Sequence, residues 1–309
     1  FSGRTSVVKL RIPETVTSIG ESAFQNCSGL KIVELPGSLS SIGEKAFDGC
    51  KGITHISSKN DSPIAINNNV FSSYGATLFV PHKDKYKIGG WDNFLTVVEG
   101  YLVDVPTYDG MTFDCVQKGD SVSVATLTKS SATGSVVNVP STVKVGDVSF
   151  QVTTISANAF SGNSSVEELT IPDGIRTIGV SAFQNCSKLK KVWLPSTLDS
   201  LGSLAFDKCT GIKEIYVNVP AAKLFAINDN VFPTSIWPTA DVYVPEGAMA
   251  TYKNKDGWKR FEKYSEGKRE QATVDDMTYE YLTVAKTATL ISTTTEQADL
   301  SIIGKAKIG

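Results

Sequence analysis

Residues 177–195 read TIGVSAFQNCSKLKKVWLP, and residues 18–36 read SIGESAFQNCSGLKIVELP. The same frame recurs along the chain. Phe1, Phe24, Phe47 and Phe71 lie 23, 23 and 24 residues apart, and Phe160, Phe183, Phe206 and Phe232 lie 23, 23 and 26 apart. A fixed period in the twenties marks a solenoid, whose coils cannot bury their apolar side alone and stack on a neighbour to do so. Such an architecture presents a surface.

Within one coil the residue types divide the work. Ile178-Gly179 closes a short extended stretch, and the glycine is read as supplying a turn that other residues resist. Ala182 lets the chain pass close while Phe183 fills the middle of the coil. Leu189, Val192 and Leu194 then follow an L-x-x-V-x-L spacing, which gives a short strand with alternate residues inward. Pro195, like Pro13, Pro36 and Pro172, lacks a backbone donor and ends the strand. Phe24, Phe47, Phe160, Phe183 and Phe206 are therefore expected to form a central column.

Four of the five cysteines (Cys27, Cys50, Cys186 and Cys209) share one coil position, which Asn163 fills in the coil before Cys186. A slot that takes either Asn or Cys reads as an inward turn position, where a small side chain meets backbone groups. A ladder of buried free thiols is expected there. Stacked coils lie about 4.8 Å apart, so cross-coil disulfides remain geometrically open. Cys115 alternates with Met111 and Phe113 and reads as a packed thiol. No histidine or acidic cluster accompanies the thiols, so no metal site is expected.

Bulk composition excludes several functions. With 41% apolar and 20% charged residues the chain can build a continuous core and is not a disordered segment. The formal net charge of −2, without a basic stripe, argues against nucleic acid. No stretch approaches the roughly 18–20 apolar residues needed to cross a bilayer as a helix. Neither G-x-S-x-G, H-E-x-x-H, a phosphate-cradling glycine loop nor a paired His/acid cluster is present, so no catalytic residues, no cofactor and no enzymatic activity are expected. His55 and His82 read as ordinary surface or boundary residues.

The coils fall into larger units. Residues 1–56 align without gaps on 160–215, and AINNNVF (65–71) answers AINDNVF (226–232). Both units close alike, with LFVPHKDKYKIGGWDNF (78–94) and VYVPEGAMATYKNKDGWKRF (242–261). Each closure reads as a strand, a short helix opened at a Val-Pro step, and a Trp and Phe three residues apart, which covers the last apolar coil. Four regions are expected: a first unit at 1–100, a β insert at 101–152, a second unit at 153–266, and the start of a further insert at 267–309. MTYEYL (277–282) answers MTFDCV (111–116), and AKIG (306–309) answers VKVG (143–146). The chain is accordingly read as a window on a longer modular protein.

The frame I-G-x-x-A-F-x-x-C-x-x-L-x-x-V-x-L-P resembles the BspA-like, or Treponema pallidum-type, leucine-rich repeat. The resemblance covers residues 1–100 and about 150–266. It implies an α/β leucine-rich-repeat solenoid, β-rich, in stacked coils of about 23 residues with short strands and short helical turns, interrupted by small β inserts. It also implies a bacterial cell-surface or secreted protein, lipid-anchored outside the segment seen, acting as an adhesin toward extracellular protein or glycan such as host matrix proteins. The chain is expected to be a monomer. A structural spacer that displays other domains is the alternative.

One surface stands out for such binding. The strand residue between the two inward positions points outward and reads Thr170, Trp193 and Tyr216 on successive coils of the second unit, with Lys190 and Lys213 nearer the strand starts. The equivalents in the first unit are Arg11, Glu34 and Ser57, so the fold does not demand aromatic residues there. Trp193, Tyr216, Lys190 and Lys213 are the candidate binding residues, because exposed Trp and Tyr bury large area at little entropic cost. The competing reading is that the rings pack on each other or on the insert. Glu168, Lys191 and Glu214 alternate in sign beside them and read as a solvated ladder.

Overall fold

The repeat period becomes a stack of parallel coils, held together on three sides. The computed structural model describes residues 1–118, 122–267, 269–274, 277–282 and 287–293. The matches AKIG (306–309) and the remainder of 267–309 lie outside the described residues. Two compact units are formed. Unit 1 comprises 1–105 with 114–118, 122–124 and 145–150, and unit 2 comprises 106–113, 125–144 and the chain from 151 onward. The region 101–152 is thus divided between the two.

In unit 1 five strands form one parallel sheet in chain order: β1 (Lys9–Arg11), β2 (Ile32–Leu35), β3 (His55–Ser58), β4 (Thr77–Val80) and β5 (Thr96–Glu99). The pairing is in register, so Leu10, Val33, Ile56, Leu78 and Val97 occupy one row. That row faces the core, where Val33, Ile56 and Leu78 are fully buried. An antiparallel strand pair follows: β6 (Tyr101–Asp104) joins the second half of β7 (Met111–Lys118).

Unit 2 repeats the design with six parallel strands: β8 (Val136–Asn138), β9 (Glu168–Thr170), β10 (Lys191–Leu194), β11 (Glu214–Val217), β12 (Asp241–Val244) and β13 (Lys263–Glu266). Leu169, Val192, Ile215 and Val242 form its inward row, all fully buried. Beyond it the backbone forms a three-stranded antiparallel sheet of β14 (Arg269–Val274), β15 (Met277–Leu282) and β16 (Thr287–Thr293).

A second side carries two-residue strands at Ser18–Ile19, Ser41–Ile42, Thr177–Ile178 and Ser200–Leu201. In unit 2 Ile155, the last residue of the strand Val148–Ile155, stacks there with Ile178 and Leu201. The third side carries the phenylalanines. Backbone N–H groups of Asn158, Phe160 and Gly162 donate to the carbonyls of Val180, Ala182 and Gln184 on the next coil, and those of Ser181, Phe183 and Asn185 repeat the pattern onto Ser203, Ala205 and Asp207. Every second residue faces the neighbouring coil, which is the economy of a parallel ladder. The rings inside follow: centroids are 4.9, 5.1 and 5.2 Å apart along Phe160, Phe183, Phe206 and Phe232. Phe24, Phe47 and Phe71 stack at 5.3 and 5.2 Å in unit 1. Coil rise and ring stacking thus share one spacing.

The turn chemistry differs from the sequence expectation. Gly179 does not adopt the left-handed conformation. Its hydrogen lies against the preceding coil, and an added Cβ would collide with the backbone nitrogen of Ala157. Positive φ occurs instead two residues either side of the phenylalanine, at Ser181 (55°) and Asn185 (62°), and likewise at Ser22, Asn26, Lys45, Leu204 and Lys208. The position two residues after the phenylalanine takes asparagine or glycine at Asn26, Gly49, Gly162 and Asn185, whereas Ser22, Lys45, Ser181, Leu204 and Lys208 are held in that conformation at a cost that packing has to offset.

All five cysteines are free and buried. Cys50 and Cys209 donate to the carbonyls of Phe24 and Phe183 at 3.0 Å, and Cys27 and Cys186 to those of Phe1 and Phe160 at 3.3 Å. Asn163 in the same slot donates to Ala132 and accepts from the amides of Ser165 and Val166. The slot therefore caps a backbone turn. Burial pushes the Cys50 thiol up to about 11 and the Cys115 thiol up to about 12, so neither ionises at neutral pH.

The closures pair a buried tryptophan with a carbonyl. Trp91 Nε1 donates to Ile64 at 2.7 Å in unit 1, and Trp258 Nε1 to Phe225 at 3.0 Å in unit 2. Helical turns follow the Val-Pro steps at Lys83–Tyr86 and Met249–Asn254, and the hydroxyl of Tyr252 donates to Val219.

Phe183→Ala is expected to cost about 3–5 kcal/mol in urea denaturation, lowering the cooperativity of unit 2. An aromatic disulfide reagent is expected to label no cysteine in the native chain and all five after unfolding without reductant. Fewer labels in the unfolded chain would reveal cross-coil disulfides.

Candidate binding surface

Parallel strands in register place equivalent outward residues directly above one another, so any aromatic side chain there meets its neighbour face to face. In unit 2 one outward row runs Asn138, Thr170, Trp193, Tyr216, Tyr243 and Ser265. Trp193 and Tyr216 stack with centroids 4.9 Å apart and planes at 11°, and Tyr216 and Tyr243 at 4.6 Å and 13°. Tyr243 extends the expected pair to a column of three. It escaped the sequence reading because it lies in the closure, where the coil frame changes, although VYVP answers LFVP by position.

Trp193 and Tyr243 are half-buried, whereas Tyr216 is only 2% exposed. The hydroxyl of Tyr216 donates to the carboxylate of Glu214. A second outward row runs Glu168, Lys191, Glu214, Asp241 and Lys263, and Lys191 pairs with Glu168 at 3.5 Å. The charge ladder continues two rungs past the stretch singled out in the sequence.

Lys190 and Lys213 do not sit on the strands. They immediately precede β10 and β11, are exposed, and have side-chain positions of opposite parity to the rings. Lys190 Nζ bonds to Glu167 at 2.7 Å, which holds that carboxyl below the usual range. The structure therefore brings the three rings together and leaves the two lysines on an adjoining edge.

The same rows in unit 1 are chemically different. Arg11, Glu34, Ser57, Phe79 and Val98 form one, and Lys9, Ile32, His55, Thr77 and Thr96 the other. Glu34 and Ser57, read from sequence as outward residues, do lie on the outer face and are nevertheless buried, because strands β6 and β7 cover it. Phe79, Leu102 and Val116 form a small second core with Ile32, Val98, Val105 and Val124 against it.

Glu34 and His55 are matched under this cover. Glu34 is bonded by Arg11 Nε at 2.6 Å and Lys9 Nζ at 3.0 Å. Burial alone would raise its pKa, but the two cations outweigh burial and hold it below the usual carboxylate value. His55 is no ordinary surface residue: its ring stacks on Phe79, Nε2 lies 3.0 Å from Asp114 Oδ1, and Nδ1 lies 2.8 Å from Thr54 Oγ1. Thr54 Oγ1 also donates to the Lys31 carbonyl, so the group reads as a clip between sheet and cover. Ser57 Oγ has no hydrogen-bond partner. His82 is half exposed beside Asp61.

Among the described residues no group of three His, Cys, Asp or Glu side chains could hold a metal ion, and no helix is long and apolar enough to cross a membrane.

The coil frame is shared beyond this chain. The BspA type leucine rich repeat region matches residues 1–88 and 141–247 in six copies. The chain belongs to the BspA-type leucine-rich repeat family. No curated protein sequence matches it. Among solved structures, a leucine-rich repeat protein from Bacteroides capillosus is 26% identical, covering 45% of this chain and 97% of its own, at a TM-score of 0.39. A leucine rich cell surface protein from Faecalibacterium prausnitzii is 18% identical over 84% of this chain and 79% of its own, also at 0.39. The T. pallidum leucine rich repeat protein is 19% identical over 52% and 82%, at 0.37.

The Glu34 arrangement sets a pH dependence. A carboxylate with a depressed folded pKa adds stability that is complete above its unfolded value of about 4.3 and is lost as pH falls through the folded value. Glu34→Gln is expected to cost about 1–3 kcal/mol at neutral pH. The gap to wild type should narrow in denaturation as the pH is lowered below that unfolded value, because protonation removes the same pairing from the wild type.

Proposed function

We propose that this BspA-type leucine-rich repeat protein is a non-enzymatic module of the bacterial cell surface or extracellular space that binds protein or glycan through the outer face of unit 2. The observation that carries the reading is the column Trp193, Tyr216, Tyr243. Unit 1 builds the same coils with Glu34, Ser57 and Phe79 at those positions, so the aromatic column is a choice beyond what coil stacking needs. Flat rings are preferred contacts for both sugar faces and protein side chains because they bury large area with few rotatable bonds. Glu214, Asp241 and Lys263 beside the column, with Lys190 and Lys213 on its edge, supply polar contacts for orientation.

A structural spacer is the second reading, and one observation favours it: unit 1 closes its equivalent face with its own strands. Glycan and extracellular-matrix arrays probed with the whole chain separate the two. Saturable binding to a restricted set of ligands is expected, falling about tenfold or more in the Trp193→Ser, Tyr243→Ser double variant with unchanged circular dichroism. Undiminished capture by the variant would remove the column from the site. Background signal on every spot would favour the spacer.

A further inference from the structure

A column of stacked rings hides most of its ring faces from a ligand. Both faces of Tyr216 are covered, one by Trp193 and the other by Tyr243. The planes of Trp193 and Tyr216 differ by only 11°, so the second face of the indole looks along the same row toward β9. The rung there is Thr170, and the next, on β8, is Asn138. Neither carries a ring. The column therefore stops at Trp193, with one indole face standing above two short polar side chains.

The spacing of the column says what fits beside that face. Its own rings lie 4.9 and 4.6 Å apart, close to the strand spacing of about 4.8 Å. A ligand ring stacked on Trp193 at that distance stands directly over Thr170. Asn138 then flanks its far side, about 9.6 Å from the indole. The other end of the column differs, because beyond Tyr243 the row holds only Ser265, on the last strand of the sheet.

The polar surroundings select the kind of ring. Thr170 is half-buried and Asn138 exposed, and neither side chain has a hydrogen-bond partner among the described residues. In the adjoining row Lys191 pairs with Glu168 at 3.5 Å, so the charges bordering the rung offset each other. An aromatic or proline side chain seated here would take water from the hydroxyl and the amide and return no hydrogen bond, which is costly. A sugar ring meets both demands. Its C–H face suits the electronegative face of the indole, and its hydroxyls reach Thr170 and Asn138.

We propose that the rung over Thr170 binds one neutral pyranose residue of a glycan, stacked on Trp193, with a hydroxyl of its opposite face turned toward Asn138. The site has an apolar wall on one side and an amide on the other. A sugar with an axial hydroxyl, as in the galacto configuration, has one apolar and one polar face to match. This inference rests on the binding reading above and names the ligand class and the place on the column where it sits.

An array of neutral oligosaccharides ending in galactose or in glucose, probed with the whole chain, tests it. Saturable capture of galactosides is expected, about threefold or more tighter than that of the matching glucosides. Thr170→Tyr places a ring of the chain's own on the rung, and tyrosine suits a strand. Capture is expected to fall about tenfold or more in that variant, as in Trp193→Ala, with circular dichroism unchanged. Thr170→Val keeps the side-chain shape without the hydroxyl, and Asn138→Ala removes the amide. Each is expected to weaken capture about threefold, the second abolishing the preference for galactosides.

Galactoside capture that survives Thr170→Tyr would overturn the proposal, as would equal affinity for both sugars that Asn138→Ala leaves unchanged. The two readings fail separately. Protein or glycan capture that is lost in Trp193→Ser, Tyr243→Ser but kept in Thr170→Tyr preserves the column as a binding surface and sinks the sugar site. No capture on glycan and matrix arrays alike sinks both.

Discussion

Coil-on-coil hydrogen bonding at a spacing near 4.8 Å is the constraint from which the rest of the structure follows. A parallel ladder can form along the coils only where successive coils keep the same course, and residues added between coils, as before Phe232, have to loop out between the paired segments. The ring of Phe183 then lies over that of Phe160 and under that of Phe206 at about the distance the backbone dictates. One spacing thus satisfies backbone polar groups and aromatic packing together. The cysteine slot follows from the same rule, since a turn carbonyl left over on each coil needs a small donor from the next. A thiol at Cys209 and an amide at Asn163 both provide one.

The outward rows obey a different logic. Nothing inside the coil restricts them, so their residues reflect whatever lies above the sheet. In unit 1 they form a second interface in which apolar Phe79 meets Leu102 and Val116, while Glu34 and His55 are each given charged or polar partners. A buried charge without such partners would be strongly destabilising, so the pairing is a condition for covering the face at all. In unit 2 the same positions hold a continuous π-column beside a row of charged residues that runs from Glu168 to Lys263. The two units share coils and differ in the surfaces those coils carry, which is where family members can diverge without disturbing the stack.

Much of this was legible in the chain. The phenylalanine period, the L-x-x-V-x-L strands, the prolines that stop them and the Trp-Phe closures each encode a local requirement, and the structure meets each with the residues named. Other features were hidden for identifiable reasons. Gly179 reads as a turn residue because glycine usually serves that role, but here it admits the neighbouring coil, and no sequence signal distinguishes the two. The left-handed positions were invisible because Ser181 and Leu204 have no preference for them. His55 meets Asp114 across 59 residues, a contact that no spacing announces.

The amino-acid sequence by itself determined the coil, its inward residues and the turn slot shared by cysteine and asparagine, because each depends on contacts repeated at a constant interval and so leaves a periodic trace. Only the tertiary structure decided that Glu34 and Ser57 are buried, that Tyr243 completes the ring column and that Lys190 and Lys213 stand apart from it. The burial of Glu34 and Ser57 depends on which strand is laid over which face. Such a pairing occurs once per unit between distant segments, and a contact made once has no period from which it can be read.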